Sequence, residues 1–172
     1  GRELRRWLAT RRGAIHLVLW SGLLGGLLAL ALFVIPEAMP EEEAMSLADS
    51  LDAGRQFFFG VGAIATAIGA VIVLQDALLE DKTSGTVELV LSKPLSRTAY
   101  VLGRLLPNLA AFVVTMIVVP AVIGYALFAL ADPTVSWLNY ARGVALLALN
   151  LLFYANLSMM LGALLHSRGP YL

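Results

Sequence analysis

Few side chains in this sequence are of a type that does covalent chemistry, and those few stand apart. There is no cysteine, so thiolate nucleophiles, disulfides and thiolate metal sites are excluded. His16 and His166 lie near opposite ends of the chain with no ligand cluster beside either, so no metal site is expected. Ser21 and Ser158 have no histidine or aspartate partner to activate a hydroxyl, which leaves hydrolase chemistry unsupported. The phosphate-cradling pattern GxxxxGK[ST] is absent, and no Gly-Lys pair occurs at all. The chain is therefore not expected to be an enzyme or to hold a cofactor. What remains is recognition, concentrated in one polar stretch, QDALLEDKTSGTVELVLSKPLSRTAYVLGR, at 75–104.

That stretch is an island in an apolar chain. Hydrophobic residues make up 59% of the sequence, charged residues only 14%, and the mean hydropathy is +0.82. Soluble domains are about half apolar and a quarter charged, so a membrane protein is indicated. Four segments nearly free of charge, at 14–35, 57–79, 107–130 and 143–165, each approach the ~20 residues that a helix needs to cross a bilayer. In lipid the backbone amides have no water to pair with, so the segments must be helices. The expected fold is all-α, with four transmembrane helices in one domain covering 1–172. Segment 14–35 is not a cleaved signal peptide, because its core is too long and further spans follow. The third segment contains two prolines. Pro107 suits the first turn of its span, with 98–106 as a lead-in, while Pro120 falls mid-span and predicts a kink, either a hinge or simply shape.

Charge sets the orientation. Ten of the twelve basic residues flank the first span's start, the 80–106 loop or the fourth span's end, and only Arg55 and Arg142 fall on the other side. The segment 36–55 holds six acidic residues and no Lys or Arg before Arg55. Cytoplasmic flanks collect Lys and Arg, so the N-terminus is expected in the cytoplasm of a multi-pass plasma-membrane protein, with 36–55 an external loop. Residues 2–12 read either as an amphipathic interfacial helix, with Leu4, Trp7 and Leu8 on one face, or as an ordinary basic flank. Trp137 and Tyr140 suit an interfacial aromatic belt, and Phe57, Phe58 and Phe59 enter the membrane from the same side. The zero net charge says little, because the signs are segregated along the chain, and no nucleic-acid partner is expected.

Within the inner loop, Ser84-Gly85-Thr86 makes a turn and residues 87–92 form a short apolar-rich helix. Pro94 stops that helix, and Ser96 is placed to cap the next one. So short a helix is marginal alone in water and needs a surface to pack on. Glu80, Gly85-Thr86, Glu88-Leu89, Leu91-Ser92, Pro94, Ser96-Arg97, Tyr100 and Gly103 resemble the inner-loop signature of type-2 ATP-binding-cassette (ABC) transporter permeases. The likeness covers about 80–104. Arg104 departs from it, since the family often has lysine there. The family usually has six membrane helices, so the four seen here are expected to be part of a six-helix domain in a C-terminally truncated sequence.

The resemblance implies a permease subunit of an ATP-driven exporter. Its coupling helix, within 80–104, would dock on a separate cytoplasmic ATPase subunit through Glu80, Gly85, Thr86, Glu88, Leu89, Ser92, Pro94 and Arg97. It also implies a second permease copy, identical or related, with ATP and Mg held by the ATPase partner and not by this chain. Asn150 and Asn156, inside the fourth apolar segment, are candidates for a polar pathway or for interhelical hydrogen bonds. Gln75 and Asp76 are read as interfacial, and Gly22 and Gly26 form a GxxxG on the first span. The alternative reading is an integral-membrane assembly or maturation factor, or a membrane enzyme, working without ATP.

Overall fold

The computed structural model describes residues 11–71, apart from positions 41 and 43, and residues 97–164. No strand occurs among them, and four helices are long and apolar enough to cross a membrane: Ala14–Ala38, Leu47–Val71, Leu109–Ala131 and Trp137–Leu161. The all-α, four-span architecture expected from composition is the one observed. We call these the first to fourth spans. The residues 2–10 and the loop segment 72–96, including the short helix expected at 87–92, lie outside the described residues.

The first span is a helix over Arg11–Ala29, continued by a π-helical stretch at Leu30–Val34 and a last α turn at Ile35–Ala38. Pro36 stands in the first turn of that last piece, where its missing N–H costs little, and Met39 then leaves the helix in an extended conformation.

The second span starts earlier than the apolar run suggests. Its helix begins at Leu47 within the acidic segment read as a loop, because Ser46 caps it. The Ser46 Oγ accepts from the Asp49 backbone N–H at 3.1 Å and donates to Asp49 Oδ2 at 2.6 Å. Asp49 in the first turn also complements the helix dipole. Through Gln56–Val61 the helix widens to π geometry before continuing to Val71.

The third helix runs from Arg97 to Phe112 with Pro107 inside it, so Pro107 does not open the membrane-crossing helix as the sequence suggested. The carbonyl four residues before this proline belongs to Gly103, whose backbone has the most room to tilt away from the ring. A π-helical stretch at Val113–Val118 follows, in which the Val119 N–H reaches Val114 O. Pro120 sits directly after it, in the first turn of the α-helix Val119–Ala131.

Asp132 closes the third span, its N–H donating to Phe128 O at 2.8 Å. The Asp132 Oδ1 then accepts from the Thr134 N–H at 2.9 Å and the Thr134 hydroxyl at 2.7 Å, a local turn that delivers the chain to the fourth helix, Trp137–Leu164. The Thr134 hydroxyl, and then the Thr134 N–H, hold the Asp132 carboxyl below the usual carboxylate range.

The first span packs against the second and third, and the fourth packs on the second and third. Leu24, Leu28, Phe58, Phe112, Met116, Leu147 and Leu151 form the shared core. At most 39% of any span's apolar window is buried within the chain, so most of each helix surface is left for lipid or for other helices. Dispersion and close approach, not the hydrophobic effect, then hold the helices together.

Glycines allow that approach where the structure is tightest. A Cβ on Gly124 would stand 2.6 Å from the Tyr140 Oη and 2.7 Å from the Phe58 ring, and one on Gly143 would stand 2.6 Å from the Phe59 ring. The GxxxG pair behaves differently, because a Cβ on Gly22 or Gly26 would meet nothing within 4 Å. In this chain the close-packing glycine of the first span is Gly25, opposite Ile123.

Two outcomes are expected. Gly124→Val should destabilise the bundle by about 2 kcal/mol through overpacking, while Gly22→Ala stays within about 0.5 kcal/mol of the parent, both measured by reversible unfolding in mixed micelles. Because the Asp132 carboxyl is lowered, the turn's stabilisation is present above the ordinary carboxylate range and is lost as pH falls through the depressed value. Carboxyl NMR should find the Asp132 midpoint below that of an ordinary aspartate, and Thr134→Val should move it back up.

Candidate functional site

Polar side chains inside the membrane segments are few, and the structure gives most of them a local partner. The buried hydroxyls of Ser50, Thr66, Thr115 and Ser158 each donate to a carbonyl of the preceding turn, those of Ser46, Ala63, Ala111 and Tyr154, at 2.7 to 3.1 Å. A hydroxyl satisfied this way costs little in lipid and is not poised as a nucleophile. Ser21 differs, because its buried Oγ has no hydrogen-bond partner among the described residues. No group of three or more His, Asp or Glu side chains gathers into a metal site among those residues.

The two asparagines of the fourth span have separate surroundings. Asn150 reaches across to the second span, where its Nδ2 donates to Ala63 O at 2.8 Å and to Thr66 Oγ1 at 2.9 Å. Because the Thr66 hydroxyl donates to the same Ala63 carbonyl at 3.1 Å, the three groups form a closed clasp between the spans. Asn156 bonds only within its own helix, Nδ2 to Leu152 O at 2.7 Å, and is exposed on the outer face beside Leu152, Phe153 and Met160. The two candidates for one polar pathway do not come together.

Of the residues expected to meet an ATPase, Glu80, Gly85, Thr86, Glu88, Leu89, Ser92 and Pro94 lie outside the described residues, and so do Gln75 and Asp76. Arg97 is the first residue of the third helix.

Sequence reasoning missed an aromatic knot at the end of the bundle where the second and fourth spans begin. Tyr140, read from the sequence as an interfacial anchor, turns inward and donates its hydroxyl to Ala121 O at 2.8 Å. Its ring centroid lies 5.4 Å from that of Tyr125, 5.7 Å from Phe59, 5.9 Å from Phe128 and 6.0 Å from Phe58. Rings at these separations attract beyond their buried area. The signal available in the sequence was the pair of glycines, Gly124 and Gly143, that make room for it.

The described residues thus form a helical bundle with four candidate membrane spans, in which most polar side chains bond within their own helix and Asn150 fastens the fourth span to the second. The chain belongs to the ABC-2 family transporter proteins: that family's model matches residues 18–169, and the match runs across the loop between the second and third spans. It is thus a membrane permease component of an ABC transporter, a transport subunit of a class that works with an ATPase partner. Neither the curated proteins nor the solved structures compared with the chain gave a match.

The clasp yields a direct test. Asn150→Leu should lower the stability of the bundle by about 1 kcal/mol, the worth of an interhelical hydrogen bond in a membrane. Asn156→Leu, which removes no contact between the described spans, should leave the isolated chain's unfolding free energy unchanged in the same assay.

Proposed function

We propose that the chain is the permease of an ABC exporter in the plasma membrane, its N-terminus cytoplasmic, coupled to a separate ATPase subunit through residues 80–104. The observation that carries this reading is the family match over 18–169, which includes the loop bearing Glu88, Leu89 and Pro94. The distribution of basic residues supports the orientation, since the second-to-third-span loop and the N-terminal flank hold most of them.

Coupling in this reading is mechanical. ATP binding brings two ATPase subunits together, the short helix in the loop follows its ATPase, and the spans it joins tilt. The third helix favours such a transfer, because it emerges from the loop at Arg97 and continues through its π-helical stretch to Ala131. A second permease copy, identical or related, has open helix faces to occupy: among the described residues a Cβ on Gly22 or Gly26 would meet nothing within 4 Å, and Asn156 places an amide on an outer face that lipid alone would penalise.

Glu88→Arg should cut the amount of co-purified ATPase and the ATP-driven transport by about tenfold, because removing one anchor of a small interface removes much of its energy. Membrane insertion and yield should be unchanged, and deleting 85–94 should abolish co-purification. ATP-driven transport at the parent rate in either variant would remove the coupling role.

A further inference from the structure

A cleft of about 290 Å³ opens beside the aromatic knot, at the end of the bundle where the second and fourth spans begin. Its apolar wall is made by the rings of Phe59, Phe128 and Tyr140. Its polar rim is made by Arg55, Ser136 and Asn139. The two basic residues that the charge pattern leaves on this side of the membrane, Arg55 and Arg142, both lead to it. Arg55 lines it directly, and Arg142 donates from Nη1 to Asn139 Oδ1 at 3.3 Å.

Two acidic groups stand nearby, Asp52 in an ion pair with Arg55 and Asp132 within reach of its charge. Asp52 accepts from Arg55 Nη1 at 2.6 Å, and Asp132 accepts both hydrogen bonds from Thr134. A guanidinium has five N–H donors, so the bond to Asp52 leaves most of the Arg55 fork for another acceptor. On the orientation proposed above, basic residues usually avoid this side of a membrane protein, so Arg55 in the lining and Arg142 one hydrogen bond away from it, through Asn139, require a reason. The cleft reaches the turn between the third and fourth spans at Val135 and Ser136, next to Trp137, which is 67% exposed.

We propose that this cleft binds the headgroup of an anionic phospholipid. The phosphate oxygens accept from Arg55 and Arg142, and the glycerol and upper acyl carbons lie on the Phe59, Phe128 and Tyr140 rings. Arginine suits this role because its planar fork matches two phosphate oxygens at once. The ring wall selects for a tail attached to the anion, which a free anion does not have. The site does not depend on the ATPase coupling above, and its test needs no ATP.

The full chain, stripped of lipid in detergent, is titrated by native mass spectrometry with phosphatidylglycerol, phosphatidylcholine or inorganic phosphate. Phosphatidylglycerol should bind about tenfold more tightly than phosphatidylcholine, the ratio that one charge-assisted hydrogen bond supplies. The double variant Arg55→Gln/Arg142→Gln should bring the two lipids to within about twofold, and Arg55→Lys/Arg142→Lys should keep part of the preference. Arg97→Gln, at the other end of the third helix, should keep all of it. Equal binding of the two lipids by the parent overturns the proposal, as does a preference that survives both glutamines. Inorganic phosphate that displaces phosphatidylglycerol at equal concentration overturns it too, because the ring wall would then play no part.

Discussion

A polar group between helices in lipid has no water to return to, and this constraint shapes every described part of the molecule. The backbone answers it by being helical throughout the spans. Buried hydroxyls answer it by donating to the turn before them. Asn150 cannot be satisfied by its own turn alone without leaving an amide idle, and it instead joins the second and fourth spans through Ala63 and Thr66. A group that would be a cost in isolation thereby fixes which faces of two helices meet.

The rest of the association has to come from fit, since lipid tails are as apolar as leucine. Fit here is uneven. At the end of the bundle where the second and fourth spans begin, Gly124 and Gly143 let three helices close around Phe58, Phe59 and Tyr140. Gly69 does the same opposite Met116, lower in the bundle. Elsewhere the helices present large side chains outward, among them Leu130, Leu146 and Leu149. π-helical stretches interrupt three of the four spans, each shifting the faces of the helix that follows it. Such stretches are marginal in hydrogen-bond geometry and are natural places for a span to adjust its register when its neighbours move.

The sequence displayed the spans well because charge is nearly absent from them, and lipid tolerates little else. Their ends were harder to read. The stretch Leu47–Arg55 looks polar, and only the relation of Ser46 to Asp49 identifies it as the start of a helix. Pro107 satisfies a rule for helix beginnings, yet the helix had already begun at Arg97. Asn150 was visible as a polar residue in an apolar span, but its partners lie more than eighty residues earlier in the chain and no local pattern points to them. Tyr140 beside Trp137 reads as a surface anchor, and its inward turn depends on space left by Gly124 in the third span. The GxxxG of Gly22 and Gly26 shows the converse, a motif that fits close packing and meets no neighbouring helix among the described residues. The residues expected to couple to an ATPase rest on resemblance alone, and of these only Arg97 falls among the described residues.

The described features are those of a helix bundle held by a polar clasp and an aromatic knot; the proposed coupling adds that the loop between the second and third spans faces the cytosol and meets the ATPase. The absence of native cysteine makes the most direct measurement simple. A single Glu88→Cys variant, carrying a short thiol crosslinker in membranes of opposite sidedness, is treated with and without ATP. The account predicts labelling only from the cytoplasmic face and a crosslink to the ATPase subunit whose yield changes with nucleotide. Labelling from the external face, or a cysteine that never crosslinks to an ATPase in any nucleotide state, would contradict it.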